Sequence, residues 1–134
     1  MPGNEARIAV EIVHLELYIV PRKHRAAFRK SLQEPIRIAQ KITHAGGGSG
    51  PYFYRVEPQR ARRGTPQIGT ILRVKPNEDL WVEIAFYRDW RRRRSILRKI
   101  WGNPKFVASV GVSEGLVSRR PNAWGVANAA LQEL

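Results

Sequence analysis

The chain has 134 residues, enough for one domain with a buried core. It contains no cysteine, which excludes disulfides, zinc–thiolate sites and a cysteine nucleophile, and its three histidines, His14, His24 and His44, lack metal-ligand spacing. Lysine and arginine number 24 against 11 acidic residues, and the net charge of +13 suits either an anionic partner or a well-solvated surface.

The sequence predicts neither a membrane-spanning helix nor a secretory signal. No apolar run approaches the ~18 residues of a membrane-spanning helix, so we expect no membrane contact. Acidic side chains interrupt the N-terminal region where a secretory signal would be continuously apolar, which favours a cytoplasmic protein. We expect residues 1–7 to form a loose leader and residues 1–134 to form a single domain.

The first third of the chain predicts a strand followed by a helix. Alternation from Ile8 to Val20 predicts the strand, with one aliphatic face and one polar–aromatic face. The aliphatic face carries Val13, Leu15, Leu17 and Ile19, and the other face carries His14, Glu16 and Tyr18. Apolar residues at helical spacing predict a helix over Arg22–Thr43, which Pro35 should kink or divide.

Shorter elements follow a glycine-rich loop at residues 45–51, which lacks the Lys-Ser/Thr of a phosphate-binding loop. Alternation predicts three further strands, at Tyr52–Glu57, Gln67–Val74 and Leu80–Tyr87. The remaining elements are a helix over Asp89–Trp101 with Trp90 and Trp101 inward, a helix from Asn103-Pro104 to Val110, a loop over 111–123 and a strand over Trp124–Leu131.

This order of elements predicts an α+β fold of the ferredoxin-like kind, an antiparallel sheet with two main helices on one face. The first and third core strands should be central neighbours. We expect the helices to cover their aliphatic faces, Leu15/Leu17/Ile19 and Val82/Ile84/Phe86. The opposite face would then be left to pack against a second copy in a homodimer formed through the sheets.

The segments VHLELYIVPRKHRAAFRK and KPNEDLWVEIAFYRDWRRRRSILRKIWGNPKF resemble the uncharacterised YbaA-like family of the dimeric α+β barrel superfamily. The second segment carries most of the likeness, through a strand ending in Tyr-Arg, a basic helix and an Asn-Pro helix start. The resemblance implies two ferredoxin-like subunits whose sheets join into a barrel, and it brings no catalytic residues. The wider superfamily includes cofactor-free oxygenases and ring-modifying enzymes.

The polar–aromatic face is the first candidate site. His14, Glu16 and Glu83 are the candidate catalytic acid–base groups, and Tyr18, Trp81 and Tyr87 are the candidate walls of a cavity for a small aromatic or apolar ligand. The alternative is that these side chains pack a polar–aromatic dimer interface. We predict no metal site and no cofactor, and the residues leave open whether the protein is an enzyme.

The basic helix is the second candidate site. Its cations are Arg91, Arg92, Arg93, Arg94, Arg98 and Lys99. The different-class alternative for function is therefore a nucleic-acid-binding accessory protein that contacts phosphates through its basic helices without reading bases. A solvated outer helix surface accounts for the same residues and is favoured, because the charges surround most of the exposed side of the helix.

Overall fold

The fold is a four-stranded antiparallel sheet with helices on one face. The structure is a computed structural model and describes residues 12–60, 62–118 and 123–128. In chain order the elements are β1 (Ile12–Pro21), a turn of 3-10 helix (Arg22–His24), α1 (Arg25–Ser31), α2 (Gln33–Ala45), β2 (Ser49–Arg55), α3 (Ile68–Ile71), β3 (Glu78–Tyr87), α4 (Trp90–Trp101), α5 (Pro104–Glu114) and β4 (Ala123–Asn128). The strand order is β2-β3-β1-β4.

The predicted α+β, ferredoxin-like class is confirmed, with β1 and β3 as central neighbours. The strand predicted over Gln67–Val74 is wrong. The amides of Thr70 and Ile71 both donate to the Gln67 carbonyl, so the backbone closes on itself as the short helix α3. Among the described residues, no helix is long and apolar enough to cross a membrane.

Several predicted boundaries also shift. The helix that begins at Pro104 runs to Glu114 and not to Val110, so part of the loop predicted over 111–123 is helical. Residues 1–7, 8–11 and 129–131 of the predicted leader and outer strands lie outside the described residues.

Pro35 divides the helical region as predicted. The break comes at Leu32, and Pro35 lies in the first turn of α2. Backbone N–H groups in the first turn of a helix have no partner within it, so the missing amide of proline costs little there. The division lets α1 and α2 follow different parts of the sheet.

The prediction of which sheet face the helices cover is wrong. Phe28 of α1 packs edge-on against Trp81 of β3, with ring centroids 5.3 Å apart. Ile12 of β1 shares a buried cluster with Ala39 of α2 and Ile96 of α4. Even-numbered residues of β1 and odd-numbered residues of β3 therefore face the helices, so the polar–aromatic face is the covered one.

Within the described residues, the aliphatic face of the sheet is the one that the main helices do not cover. Cross-strand pairs place Val13 opposite Phe86, Leu15 opposite Ile84 and Leu17 opposite Val82. From β2, Tyr52 and Tyr54 lie beside the same residues of β3. Leu15 is 38% exposed and Tyr54 is 55% exposed. We call this surface, made of the eight residues just named, the open face.

Two buried apolar clusters hold the helices to the sheet. One contains Ile12, Ala39, Ala85, Tyr87, Ile96, Ile100 and Phe106. The other contains Val20, Phe28, Leu32 and Trp81. Between the clusters the side chains do not fill the space between sheet and helices, and His14, Glu16, Tyr18, Glu83 and Tyr87 border that space.

Candidate functional site

A cavity of about 640 Å³ lies between the helices and the sheet. This volume is within the range of roughly 300–1,000 Å³ usual for ligand pockets. Most of its wall is apolar, with contributions from α1, α2, α4, α5 and the strands β1–β3. Apolar side chains that line it include Phe28, Ala39, Phe53, Leu97 and Val110.

One wall of the cavity is a cluster of hydrogen-bonded polar side chains from the two central strands. Glu16 of β1 lies directly opposite Glu83 of β3, because alternate residues of a strand share a face and the register pairs these two. His14 Nε2 is 2.8 Å from Glu16 Oε1 and 4.0 Å from Glu83 Oε2. The Tyr18 hydroxyl donates to Glu16 Oε2 and lies 3.4 Å from Glu83 Oε1.

The pKa values of the two carboxyl groups are shifted in opposite directions. Burial raises the pKa of Glu83 to about 7, and the negative charge of Glu16 adds to this rise. Burial acts in the same sense on Glu16, but hydrogen bonds from His14 and Tyr18, with the charge of Arg93, lower the pKa of Glu16. Near neutral pH the pair therefore holds one ionised carboxylate beside a carboxyl that readily gains or loses a proton.

The two tyrosines stay protonated beside these acids. Burial and the neighbouring carboxylates raise the pKa of Tyr18. Burial and Glu83 raise the pKa of Tyr87 to about 12. Both hydroxyls are thus available as hydrogen-bond donors, and Tyr18 contacts both carboxyl groups.

Arg93 supplies the cation of this cavity. The carboxylate of Asp89 caps α4 by accepting the amide of Arg92 at 2.7 Å, which fixes where the helix begins. Arg93 then lies on the same inward stripe as Leu97 and Ile100, and all three line the cavity. Its Nη2 is 3.3 Å from His14 Nδ1, and its guanidinium carbon is 6.0 Å from the ring centroid of Tyr87.

The inward position of Arg93 corrects the prediction that it belongs to the outer cations of the basic helix. The signal was present in the spacing of Arg93, Leu97 and Ile100, which is four and then three residues. The run of four arginines suggests a uniformly exposed surface and so obscures this spacing. Four consecutive residues of a helix point in all directions around its axis, so one of them must face the sheet. Arg91, Arg92, Arg94, Arg98 and Lys99 are exposed, as expected.

The cluster also has the composition of a possible metal site. His14, Glu16 and Glu83 each offer one nitrogen or oxygen atom that could bind a metal ion, and these atoms all lie within 4.8 Å of one another. Arg93 makes metal binding at His14 unfavourable. Arginine only donates hydrogen bonds, so His14 Nδ1 accepts from it and Nε2 carries the proton that Glu16 accepts. A metal at Nε2 would require the proton on Nδ1, facing the guanidinium. The cluster is thus suited to moving protons.

The structure brings together most of the side chains predicted to form the site. His14, Glu16, Tyr18, Glu83 and Tyr87 all line the cavity. Trp81 shares their face of the sheet, but it packs against Phe28 and is not among the described lining residues.

Two other aromatic predictions concern α4. Trp90 and Trp101 were expected inward and are 46% and 55% exposed, although Trp101 contributes an edge to the cavity. Phe53, which stacks on Tyr18 at 6.1 Å, also lines the cavity, whereas its sequence context, three consecutive aromatic residues, indicates only base stacking or core and interface packing.

No protein-family profile matches the chain, and no curated protein matches it significantly. Solved structures share its fold. A NIPSNAP family protein of unknown function from Agrobacterium tumefaciens superimposes with a TM-score of 0.56 at 12% identity, covering 92% of both chains. A protein provisionally described as an antibiotic biosynthesis monooxygenase, from Caulobacter crescentus, gives 0.51 at 11% identity over 97% of this chain and 99% of its own.

A protein with the same provisional description from Bacteroides thetaiotaomicron gives a TM-score of 0.50 at 15% identity over 94% of this chain and 93% of its own. The chain therefore has the α+β fold of the NIPSNAP and antibiotic biosynthesis monooxygenase-like structures. At these identities the likeness extends to the fold alone.

Proposed function

We propose that the protein binds a small aromatic or otherwise apolar molecule in the cavity between helices and sheet, and that Glu83 removes a proton from it. The observation that carries this proposal is the acid–base cluster of His14, Glu16, Tyr18 and Glu83 on one wall of a ligand-sized, otherwise apolar cavity. A fold shared with structures described as monooxygenases is consistent with small-molecule chemistry.

Proton removal follows from the arrangement of the two carboxyl groups. A general base works best when its pKa is near the operating pH, and the pKa of Glu83 is raised to about 7. Glu16 remains ionised and accepts hydrogen bonds from His14 and Tyr18. The Tyr18 hydroxyl links Glu16 to Glu83, so this cluster holds the base in place beside the apolar walls of the cavity.

We further propose that the protein is a homodimer joined through the open face, as in the superfamily that its sequence resembles. A contiguous apolar surface on a central sheet is unusual for a monomer, and a second sheet packed on it would cover Leu15 and Tyr54. Because the cavity lies on the other side of the sheet, it does not require the partner. Membership of the YbaA-like family and a cytoplasmic location remain predictions.

Nucleic-acid binding remains the alternative prediction. Nucleic-acid binding would depend on the positive charge of the exposed cations of α4. Arg93 does not belong to that surface, because it lies at the cavity. A solvated helix face explains the remaining arginines equally well. We therefore adopt the cavity as the proposed site.

The proposal predicts that filling the cavity abolishes binding of an apolar probe. Val110→Trp places an indole in the cavity from α5, whereas Val107→Trp on the same helix adds it at a position that is 46% exposed. We expect N-phenyl-1-naphthylamine to become fluorescent with wild type and Val107→Trp. Its affinity for Val110→Trp should fall at least about 10-fold, since the ligand volume is lost.

Titration of the probe fluorescence measures this, with circular dichroism to confirm that each variant is folded. Equal binding to wild type and Val110→Trp would show that the probe lies elsewhere and would overturn the cavity as the binding site.

A further inference from the structure

The guanidinium of Arg93 is a positive charge at the cavity that forms no ion pair with a carboxylate of the described residues. Within residues 12–60, 62–118 and 123–128, no ion pair includes Arg93. Its Nε is buried, and the described part of the chain offers it no hydrogen-bond acceptor. A buried donor without an acceptor is costly, so this arginine is held in the cavity wall at some expense of stability.

The charge of Arg93 acts on Glu16 at a distance, lowering the pKa of that carboxyl, but the groups in direct contact with the guanidinium carry no negative charge. Its Nη2 contacts His14 Nδ1, and the rings of Tyr87 and Trp90 lie 6.0 and 5.8 Å from its guanidinium carbon. These contacts orient the guanidinium but leave it cationic. The two carboxylates of the cluster lie beyond the other nitrogen of the imidazole, at Nε2.

The polar wall of the cavity is therefore divided by His14. Arg93 lies at the Nδ1 side, and the carboxyl groups Glu16 and Glu83 lie at the Nε2 side. A ligand spanning this wall would meet a cation at one end and a proton acceptor at the other. Arginine is well suited to hold an anionic oxygen, because its planar fork offers parallel donors.

We propose that the ligand carries an oxygen that is negatively charged when bound, a carboxylate, phenolate or enolate, and that Arg93 anchors it. This inference deepens the proposed function and rests on it. An apolar body would occupy the space between the two core clusters, and its anionic oxygen would accept hydrogen bonds from the Arg93 guanidinium at the cavity wall. The substrate class is then an apolar or aromatic acid or enol.

A matched pair of probes tests the anion directly. The fluorescent dye 8-anilinonaphthalene-1-sulfonate differs from N-phenyl-1-naphthylamine by one sulfonate group, so the ratio of their affinities isolates the negative charge. Titrations at about 0.3 M salt reduce binding to the exposed arginines, because the Debye length there is shorter than 8 Å. Wild type should prefer the anionic probe.

The variants are Arg93→Met and, as the matched control, Arg94→Met, whose side chain is exposed on the same helix. Arg93→Met should reduce affinity for the anionic probe at least about 10-fold, the effect of losing a charged hydrogen bond, and leave the neutral probe unchanged. Arg94→Met should change neither affinity. Arg93→Gln, a polar replacement, repeats the test if the methionine variant does not fold.

The outcomes separate this inference from the proposed function. Equal losses of affinity for the anionic probe in Arg93→Met and Arg94→Met, or no preference for that probe in wild type, would overturn the Arg93 anchor. Binding of the neutral probe would in that case still support the cavity as the binding site. Failure of both probes to bind wild type would overturn the proposed function itself.

Discussion

Glu83→Gln is expected to stabilise the protein by about 3 kcal/mol at pH 8 and to leave its stability nearly unchanged at pH 4. Burial and the charge of Glu16 raise the pKa of Glu83 from 4.5 to about 7. Each pH unit over which the unfolded carboxyl is ionised and the folded one is not costs about 1.4 kcal/mol of stability. The neutral amide has the shape of the protonated acid and avoids this cost.

The sign of the pH dependence follows from the raised pKa. The protonated form of Glu83 is favoured in the folded state, so its contribution to stability is complete below pH 4.5 and is lost as the pH rises through about 7. Urea denaturation of wild type and variant across this range measures the difference. Glu34→Gln, at a carboxyl that is 52% exposed, is the matched control and should show no such dependence.

A difference in the free energy of unfolding between wild type and Glu83→Gln that stays constant from pH 4 to pH 8 would contradict a raised pKa at Glu83. A gain in stability on losing a carboxylate would itself indicate a functional role, because a site that needs a poised base retains an unfavourable charge.

Leu15→Arg is expected to convert the proposed homodimer into monomers. Leu15 lies at the middle of the open face, opposite Ile84 and 38% exposed. In a symmetric dimer each substitution occurs twice, and an unpaired charge buried in an apolar interface is strongly unfavourable. We expect the dissociation constant to rise at least about 100-fold, which corresponds to a loss of about 3 kcal/mol.

Sedimentation velocity measures this equilibrium. Val112→Arg is the matched control, since Val112 lies on α5 away from the open face and is 62% exposed. The cavity lies on the helix side of the sheet, so the Leu15→Arg monomer should still bind the neutral probe. Monomeric wild type at high concentration, or an unchanged dimer in Leu15→Arg, would disprove the proposed interface.

The main strands and helices could be predicted from sequence because their signals are local. Alternation fixed β1 and β3, and Asp89, Asn103 and Pro104 marked helix starts that the structure confirms. Gln67–Val74 failed because alternating apolar residues can also form a short helical turn. No local pattern there revealed that the backbone would close on itself.

The choice of sheet face could not be predicted from local pattern. The expectation that the more aliphatic face meets the helices is sound for a filled core. Here the helices cover the face that carries Glu16 and Glu83. These two carboxyl groups border a cavity and are hydrogen-bonded, so they are not packed into the apolar clusters, and the aliphatic residues form the open face. A cavity depends on how several helices fit together, which one sequence does not reveal. The position of Arg93 followed from the same packing.

The most direct test of the cavity and its anion anchor is a crystal structure after soaking with 6-bromo-2-naphthoate, whose bromine is located by anomalous scattering. We predict bromine density between the helices and the sheet, with the carboxylate within about 3 Å of the Arg93 guanidinium. Bromine density confined to the open face or the outer surface of α4, with the cavity empty at a saturating ligand concentration, would contradict it.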